Sequence, residues 1–342
     1  MQKANKHTIS FITLSVLLIL CFFLNISLGS ISIPNKEIIN VLFGSAKNLS
    51  WQYIIIDYRL PKAFTAIIVG SGLGISGLMM QTLFRNPLAG PFVLGITSGA
   101  SLGVAIVTMG ASLLGGVMVG VLASKWSIVI AATLGSFLVL LTVLIVSTKV
   151  RDSMAILIIG LMFGSISAAV VNVLSYFSSA EELQQYFFWG FGSLGNLSWN
   201  ELLILFALYS LGILLSLGTI KTLNTLLLGE NYAKSLGLNI KHSRLLIITS
   251  TSLLAGTITA FTGPIAFIGL AIPHITRQVF NTSNHKTLLP AVFLFGAIVM
   301  LICDSIAQLP TSDYTLPINA ITSLIGAPVV IWLLIRKRKM MF

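Results

Sequence analysis

The segment that decides the fold runs from Met154 to Phe177 and reads MAILIIGLMFGSISAAVVNVLSYF, without one charged side chain. A helix needs about 20 apolar residues to cross the hydrocarbon core of a bilayer, because the core is about 30 Å thick and each residue advances the helix by about 1.5 Å. The segment is long enough to do so. It therefore predicts a helix that spans a membrane.

Further apolar runs recur along the chain, and we expect each of them to be a helix too. The uninterrupted runs are Ile9–Leu28, Ala63–Leu83, Ser127–Ser147, Leu202–Ile220, Leu245–Phe261, Leu288–Cys303 and Ile318–Ile335. Two shorter runs are interrupted by Gly, Ser or Pro, namely Pro91–Met109 and Pro264–Thr276. The pattern predicts an all-α polytopic membrane protein with about ten transmembrane helices in one domain, residues 1–342. The Gly-rich stretch Gly110–Ser124 either lengthens the third span or forms a hairpin at the membrane interface.

The composition excludes several classes of soluble protein. Of the 342 residues, 56% are hydrophobic and 8% are charged, whereas an ordinary soluble domain has about 25% charged residues. So few charges cannot cover a water-facing surface, which excludes a soluble enzyme, a disordered chain and a nucleic-acid-binding protein. Cys21 and Cys303 both lie in apolar runs, so no disulfide framework is indicated.

The basic residues predict the orientation. If the N-terminus is cytoplasmic and ten spans alternate, the outside holds only Lys36, Lys47, Arg59, Lys62 and Lys125, which leaves 15 of the 20 basic residues inside. This asymmetry agrees with the positive-inside rule and predicts that both termini are cytoplasmic. It also explains the net charge of +11 by topology and by contact with anionic membrane lipid, without nucleic acid. The first run is longer than the apolar core of a signal peptide, so we read it as an uncleaved span.

The sequence carries no signature of catalysis. No Gly is followed by Lys, which rules out a phosphate-binding loop for ATP, and no His-Glu-x-x-His motif is present. We expect no catalytic residue, metal ligand or cofactor, and a transport subunit rather than an enzyme. A stand-alone secondary transporter is an alternative, but Asp304 and His274 are its only candidate ionisable groups near membrane depth. For His274 we favour a structural hydrogen bond, and for Asp304 a pairing with a helix end or a polar neighbour.

Several motifs resemble one family of permeases. Gln81–Ala89 reads QTLFRNPLA, and Gly263–His274 reads GPIAFIGLAIPH. Leu228–Glu230 reads LGE, and Ala233–Gly237 reads AKSLG. Together, from about residue 9 to residue 335, these motifs resemble the permeases of bacterial ABC importers for iron-siderophores, haem and cobalamin.

The resemblance implies a multi-pass subunit of the bacterial inner membrane that pairs with a second copy or a paralogue. Two separate cytoplasmic ATPases would hydrolyse the ATP that drives transport, and an extracytoplasmic binding protein would deliver the substrate. The expected substrate is an iron(III)-siderophore, and haem or cobalamin is the alternative.

The resemblance also implies that Arg59 and Lys62, at the outer end of the second span, dock the binding protein. The alternative is snorkelling, in which long basic side chains anchor a helix end at the membrane surface. For Arg59 we favour docking, and for Lys62 the two roles are equally expected. Gln308 stands where some relatives have a third basic docking residue.

The second span must end near Asn86, because Pro87 cannot donate a backbone hydrogen bond. Broken backbone at membrane depth is tolerated where it lines a cavity or is buried in protein. The resemblance makes Asn86 and Leu88 part of an inner gate, opposite Ser153 at the start of the fifth span. The alternative is a simple turn between two spans.

Small residues spaced four apart predict close packing of helices within the chain, as at Gly70 and Gly74. On the fifth span, the resemblance gives Gly160, Gly164 and Ser167 another role, which is to line the translocation pathway. A helix–helix interface is the alternative there.

The loop after the sixth span predicts a short cytoplasmic helix. Glu230 precedes a lysine by four positions, the favourable order on a helix. Ala233 and Leu236 share a neighbouring apolar face, and Gly237 suits a helix end that needs a left-handed residue. The resemblance adds that this segment, which begins at Gly229, inserts into a groove of the ATPase, where the small residues allow close approach. The alternative is a surface helix that caps the bundle.

Overall fold

A computed structural model describes residues 2–45, 48–110, 124–150, 153–309, 312 and 314–335, and every regular element among them is helical. The prediction of an all-α protein is confirmed. Most of the stretch Gly110–Ser124 lies outside the described residues, and so do the alternatives predicted for it.

The helices are, in chain order, α1 (Gln2–Ser27), α2 (Asn35–Leu42), α3 (Leu49–Tyr53), α4 (Leu60–Leu83), α5 (Ile96–Gly110), α6 (Lys125–Lys149), α7 (Ser153–Phe177), α8 (Ala180–Phe191), α9 (Trp199–Gly218), α10 (Ile220–Leu226), α11 (Glu230–Ser235), α12 (Ile240–Thr262), α13 (Ile268–Phe280), α14 (His285–Ala307) and α15 (Ile318–Ile335). A π-helical turn, Ile54–Arg59, joins α3 to α4, and a 3₁₀ helix, Pro91–Leu94, precedes α5.

Each apolar run of the sequence coincides with a helix. Within the described residues, seven helical segments are long and apolar enough to cross a membrane. Two of the remaining runs form the shorter apolar helices α5 and α15, and the run that contains Pro273 forms α13, of 13 residues. The chain is therefore a multi-pass membrane protein. The number of ten crossings and the cytoplasmic termini stay predictions.

The helix α4 forms the centre of the bundle. The apolar window of the segment Leu49–Leu83, which ends with α4, is 89% buried, against 17% for that of α1. Around α4 pack α12, α13 and α14. The outward faces of α1, α6 and α7 are apolar and exposed, as expected for surfaces that meet lipid or another subunit.

Glycines allow α4 to touch its neighbours through the backbone. Gly70 lies against Gly296 of α14, and Gly77 lies against Gly269 of α13; at each position a β-carbon would overlap a carbonyl group of the facing helix. In lipid, helices associate through such close packing because no difference in apolarity drives them together. The predicted role of Gly70 in helix packing is confirmed.

We expect Gly77→Ala to destabilise the folded protein by about 1–3 kcal/mol, because the added methyl forces α4 and α13 apart. The measurement is the thermal unfolding midpoint in detergent. Gly218→Ala is the matched control, since a β-carbon there meets no atom within 4 Å. Equal midpoints for the two variants would contradict the close-packing account.

Candidate functional site

Apart from the small residues of α7, the candidate residues fall at two ends of the bundle, separated by the length of α4. This helix has 24 residues, which corresponds to a length of about 36 Å. The Arg59 end holds the start of α4, the end of α1 and the end of α14. The Glu230 end holds α10, α11 and the loop that follows α4.

Arg59 closes the end of α1 instead of facing solvent. Its Nη1 donates to the carbonyl oxygens of Ile26 at 2.9 Å and Ser27 at 3.1 Å, and its Nη2 donates to that of Ile31 at 2.5 Å. The last carbonyls of a helix have no donor of their own, so a guanidinium is well suited to them. The side chain is buried. Its charge therefore faces the end of α1 and is not displayed as a free charge on the surface.

Lys62 is paired inside the protein. Its Nζ lies 3.2 Å from Oδ1 of Asp304 on α14. The other carboxylate oxygen, Oδ2, accepts from Asn25 Nδ2 at 2.9 Å and from Gln308 Nε2 at 2.8 Å. Asp304 is 2% exposed, so its charge depends on these partners. The expected pairing of Asp304 with a polar neighbour is confirmed. Gln308, at the position where some relatives have a basic docking residue, donates to this buried carboxylate.

Through these contacts, the two basic residues hold three helices in position relative to one another. Arg59 immediately precedes α4 and Lys62 lies in its first turn, and through them α4 is joined to α1 and α14. Sequence reasoning missed this role because the acceptors come from distant parts of the chain. Direct docking of a partner by either residue stays a prediction.

We expect Lys62→Met to destabilise the protein by about 3–5 kcal/mol, because Asp304 would be left as a buried charge without its cation. The double variant Lys62→Met/Asp304→Asn removes that charge and should recover most of the loss. Thermal unfolding midpoints of the two variants and the wild type provide the comparison. A double variant as unstable as the single one would mean that the ion pair is not what holds this end.

The loop after α4 is held in one conformation. Asn86 Oδ1 accepts from the backbone nitrogen of Leu88 at 2.9 Å, which forms a tight turn around Pro87. His274 Nε2 on α13 donates to the Pro87 carbonyl oxygen at 2.8 Å. The structural hydrogen bond expected for His274 is therefore confirmed. Leu88 projects from this loop and is exposed.

The small residues of α7 pack inward. Gly160 lies against the backbone of Val93 and Leu94, so closely that a β-carbon would overlap the Val93 carbonyl group. Gly164 faces Ser98, and Ser167 is buried. The contact of Gly160 fits the interface alternative, and the lining of the pathway by Gly164 and Ser167 stays a prediction. The exposed face of α7 instead carries apolar side chains, among them Ile158, Leu161, Met162 and Ile166. Ser153 begins α7, and its side chain lies outside the described residues.

The helix α11 forms as the sequence predicts. It begins after Gly229, whose φ is +101°, and Gly237 follows its end with a φ of +83°. The Leu238 nitrogen donates to the Ala233 carbonyl oxygen at 3.0 Å, and the Gly237 nitrogen donates to that of Lys234 at 2.9 Å. This pair of bonds is the Schellman motif, which requires a left-handed residue at Gly237.

The exposed face of α11 differs from the expected one. Ala233 is fully buried against the rest of the chain, so the expectation that its small size admits a partner is wrong. The exposed apolar side chains are instead Leu228, Tyr232 and Leu236, which are 59%, 56% and 60% exposed. Their spacing of four residues is visible in the sequence. Of these three side chains, only Leu236 was predicted from the sequence to lie on an apolar face.

Glu230 anchors α11 to the body of the bundle. Its Oε1 lies 3.1 Å from Nη2 of Arg244 on α12. Arg244 is buried, and its Nη1 also donates to the carbonyl oxygen of Val150, just after α6, at 3.2 Å. Glu230 and Arg244 thus link α11 to α12 and to the end of α6.

Comparison with known proteins places nearly the whole chain in one family. The model of the FecCD transport family matches residues 17–336. The chain is 34% identical over 328 residues to the hemin transport system permease protein HmuU of Yersinia pestis, and the alignment covers 95% of each protein. It is 36% identical over 326 residues to the vitamin B12 import system permease protein BtuC of Klebsiella pneumoniae subsp. pneumoniae, with 95% of this chain and 93% of the relative covered.

A solved structure has the same fold. It is described as an inward-facing conformation of a metal-chelate type ABC transporter, and it superimposes with a TM-score of 0.82 at 32% sequence identity. The match covers 95% of this chain and 98% of the other.

Proposed function

The chain belongs to the FecCD transport family, and we propose that it is the membrane-spanning permease subunit of an ABC importer for a metal chelate. The observation that carries the proposal is the continuous similarity to a haem permease and a vitamin B12 permease over nearly their whole lengths. A permease of this kind works with an ATPase and a substrate-binding protein. The sequence has no phosphate-binding loop of its own, which agrees with this division of tasks.

Among metal chelates, we propose an iron(III)-siderophore as the substrate, with haem and cobalamin as the alternatives. The test is a screen of the cognate binding protein by quenching of its tryptophan fluorescence with ferric siderophores, hemin and cobalamin. Tight binding of a ferric siderophore alone is the expected result. Binding of hemin or cobalamin alone would show that the proposed siderophore substrate is wrong, whereas the assignment as an importer permease would stand.

We propose an assembly in the bacterial inner membrane with two permease chains, identical or paralogous, two cytoplasmic ATPases and one binding protein. The Arg59 end then faces outward and receives the binding protein, and the Glu230 end faces the cytoplasm. The distribution of basic residues along the sequence supports this orientation. The bonds of Arg59 and Lys62 support a role in shaping the docking face.

A secondary transporter that works alone is the weaker candidate. Such a protein needs ionisable groups that bind a coupling ion within the membrane. Asp304 is paired with Lys62, and His274 is bonded to the Pro87 carbonyl oxygen. Both candidate groups therefore have structural partners, which favours a transporter driven by a separate ATPase.

We propose that α11 is the segment that contacts the ATPase, through Tyr232 and Leu236. We expect Tyr232→Ala/Leu236→Ala to fold normally and to weaken ATPase association by about 2 kcal/mol or more, about thirtyfold, as truncation of interface anchors does. Recovery of the ATPase with the tagged permease is the measurement.

The matched control is Tyr314→Ala/Leu49→Ala, which truncates the same residue types at the Arg59 end, where they are 80% and 83% exposed. This control should retain the ATPase fully. Equal retention by both double variants would remove α11 from the ATPase interface. Gly237 is a poor probe, because any side chain there is strained by its positive φ.

We propose that Leu88 closes the pathway at the Glu230 end. Leu88→Ala should raise the leak of substrate from loaded vesicles several-fold in the absence of ATP, because the loop keeps its turn and loses only the blocking side chain. Efflux of labelled chelate is measured against Leu203→Ala, a truncation on the exposed face of α9. If Leu88→Ala vesicles stay as tight as the control, the loop is only a turn.

A further inference from the structure

A continuous chain of hydrogen bonds connects the segment before α11 with the end of α4. On α10, Asn224 Oδ1 accepts from the backbone nitrogen of His285 at 2.8 Å and from its Nδ1 at 2.8 Å. Because an amide oxygen can only accept, Nδ1 of the ring carries the proton. On the other side of the ring, Nε2 lies 2.9 Å from Oγ1 of Thr82.

The chain continues from Thr82 to α13. Arg277 Nη2 donates to Thr82 Oγ1 at 3.4 Å, and Nη1 donates to Gln81 Oε1 at 3.1 Å. Gln81 Nε2 in turn donates to the Leu270 carbonyl oxygen at 3.2 Å. The last turn of α4 is thus bonded at two successive residues to α13, the helix whose His274 holds the Pro87 carbonyl. We call Asn224, His285, Thr82, Gln81 and Arg277 the junction network.

The junction network lies between the two functional segments. Asn224 is five residues before Gly229, where the segment proposed to contact the ATPase begins. Thr82 is four residues before Asn86, where the proposed gate loop begins. Gln81, Thr82 and His285 are fully buried.

Burial of these polar groups needs a reason. A buried polar side chain is costly unless it is hydrogen-bonded, and close packing such as that at Gly70 joins helices without this requirement. Hydrogen bonds differ from apolar contacts in being directional, because they weaken steeply when donor and acceptor move out of line. A network of them keeps α10, α14, α4 and α13 in fixed relative positions.

We propose that the junction network transmits displacement of the ATPase-contacting segment to the gate loop, with Thr82 as its central positioning residue. The inference rests on the proposed function as an importer permease. When α10 moves with α11, His285 and the start of α14 move with it. Thr82 passes this movement to the end of α4 and, through Arg277, to the helix that holds Pro87.

The test compares Thr82→Val with Thr82→Ser in the complete importer, in vesicles that contain ATP. Valine has nearly the shape of threonine but cannot bond His285 or Arg277, whereas serine keeps the hydroxyl. Thr65→Val is the matched control, because Thr65 is equally buried on α4 and its hydroxyl bonds only the Pro61 carbonyl oxygen of its own helix among the bonds seen. ATP hydrolysed per chelate transported is measured for each variant, together with the thermal unfolding midpoint.

We expect Thr82→Val to fold with a lower midpoint, because His285 Nε2 loses its partner. Its ATPase activity should be kept while ATP consumed per chelate rises by about fivefold or more. Thr82→Ser and Thr65→Val should match the wild type. A purely structural role predicts the lower midpoint with an unchanged ratio. An unchanged ratio in Thr82→Val that is folded and assembled with its ATPase would overturn the proposal.

If Thr82→Val fails to fold, Asn224→Ala decides the question, because Asn224 is only partly buried and its truncation also cuts the network at His285. The same rise in ATP per chelate is expected, and an unchanged ratio overturns the proposal. Failure of the proposed function is recognised separately, since the wild-type importer would then show no ATP-driven uptake of any metal chelate.

Discussion

The contact between α4 and α14 determines how the two ends of the molecule are built. These helices run antiparallel and touch through the backbone at Gly70 and Gly296. Because no side chain separates them there, polar groups on the two helices come within bonding distance toward both ends. Lys62 meets Asp304 at one end, and Thr82 meets His285 at the other. A wider separation would break the Lys62–Asp304 and Thr82–His285 contacts, and the loss of a bond by a buried polar group is costly in lipid.

The charges at the Arg59 end illustrate how a membrane protein uses its few ionisable groups. Arg59 and Lys62 lie three residues apart in the sequence, and both are bonded to acceptors inside the protein. If the binding protein docks at this end as proposed, it meets a surface held in place by these residues. The Glu230 end differs, because exposed apolar side chains of α11 remain available there for another chain.

The sequence allowed the fold to be predicted well, because membrane spans follow from length and apolarity alone. The helix α11 could also be predicted, since a glycine just after a short helical pattern is a strong local signal for a helix end that needs a positive φ. Two features could not be predicted from the sequence. The partners of Arg59 and Lys62 lie on other helices, so no local pattern reveals them. The orientation of Ala233 depends on how α11 packs against the rest of the chain, and a helix of six residues is too short for its pattern to distinguish the inner from the outer face.

The most direct measurement is uptake of a labelled metal chelate into vesicles that contain this chain with its ATPase, with the cognate binding protein added outside. The account predicts uptake that requires both ATP inside the vesicles and the binding protein outside. The uptake should not depend on ion gradients across the membrane. Uptake driven by an ion gradient without ATP would contradict it, because the chain would then transport by itself.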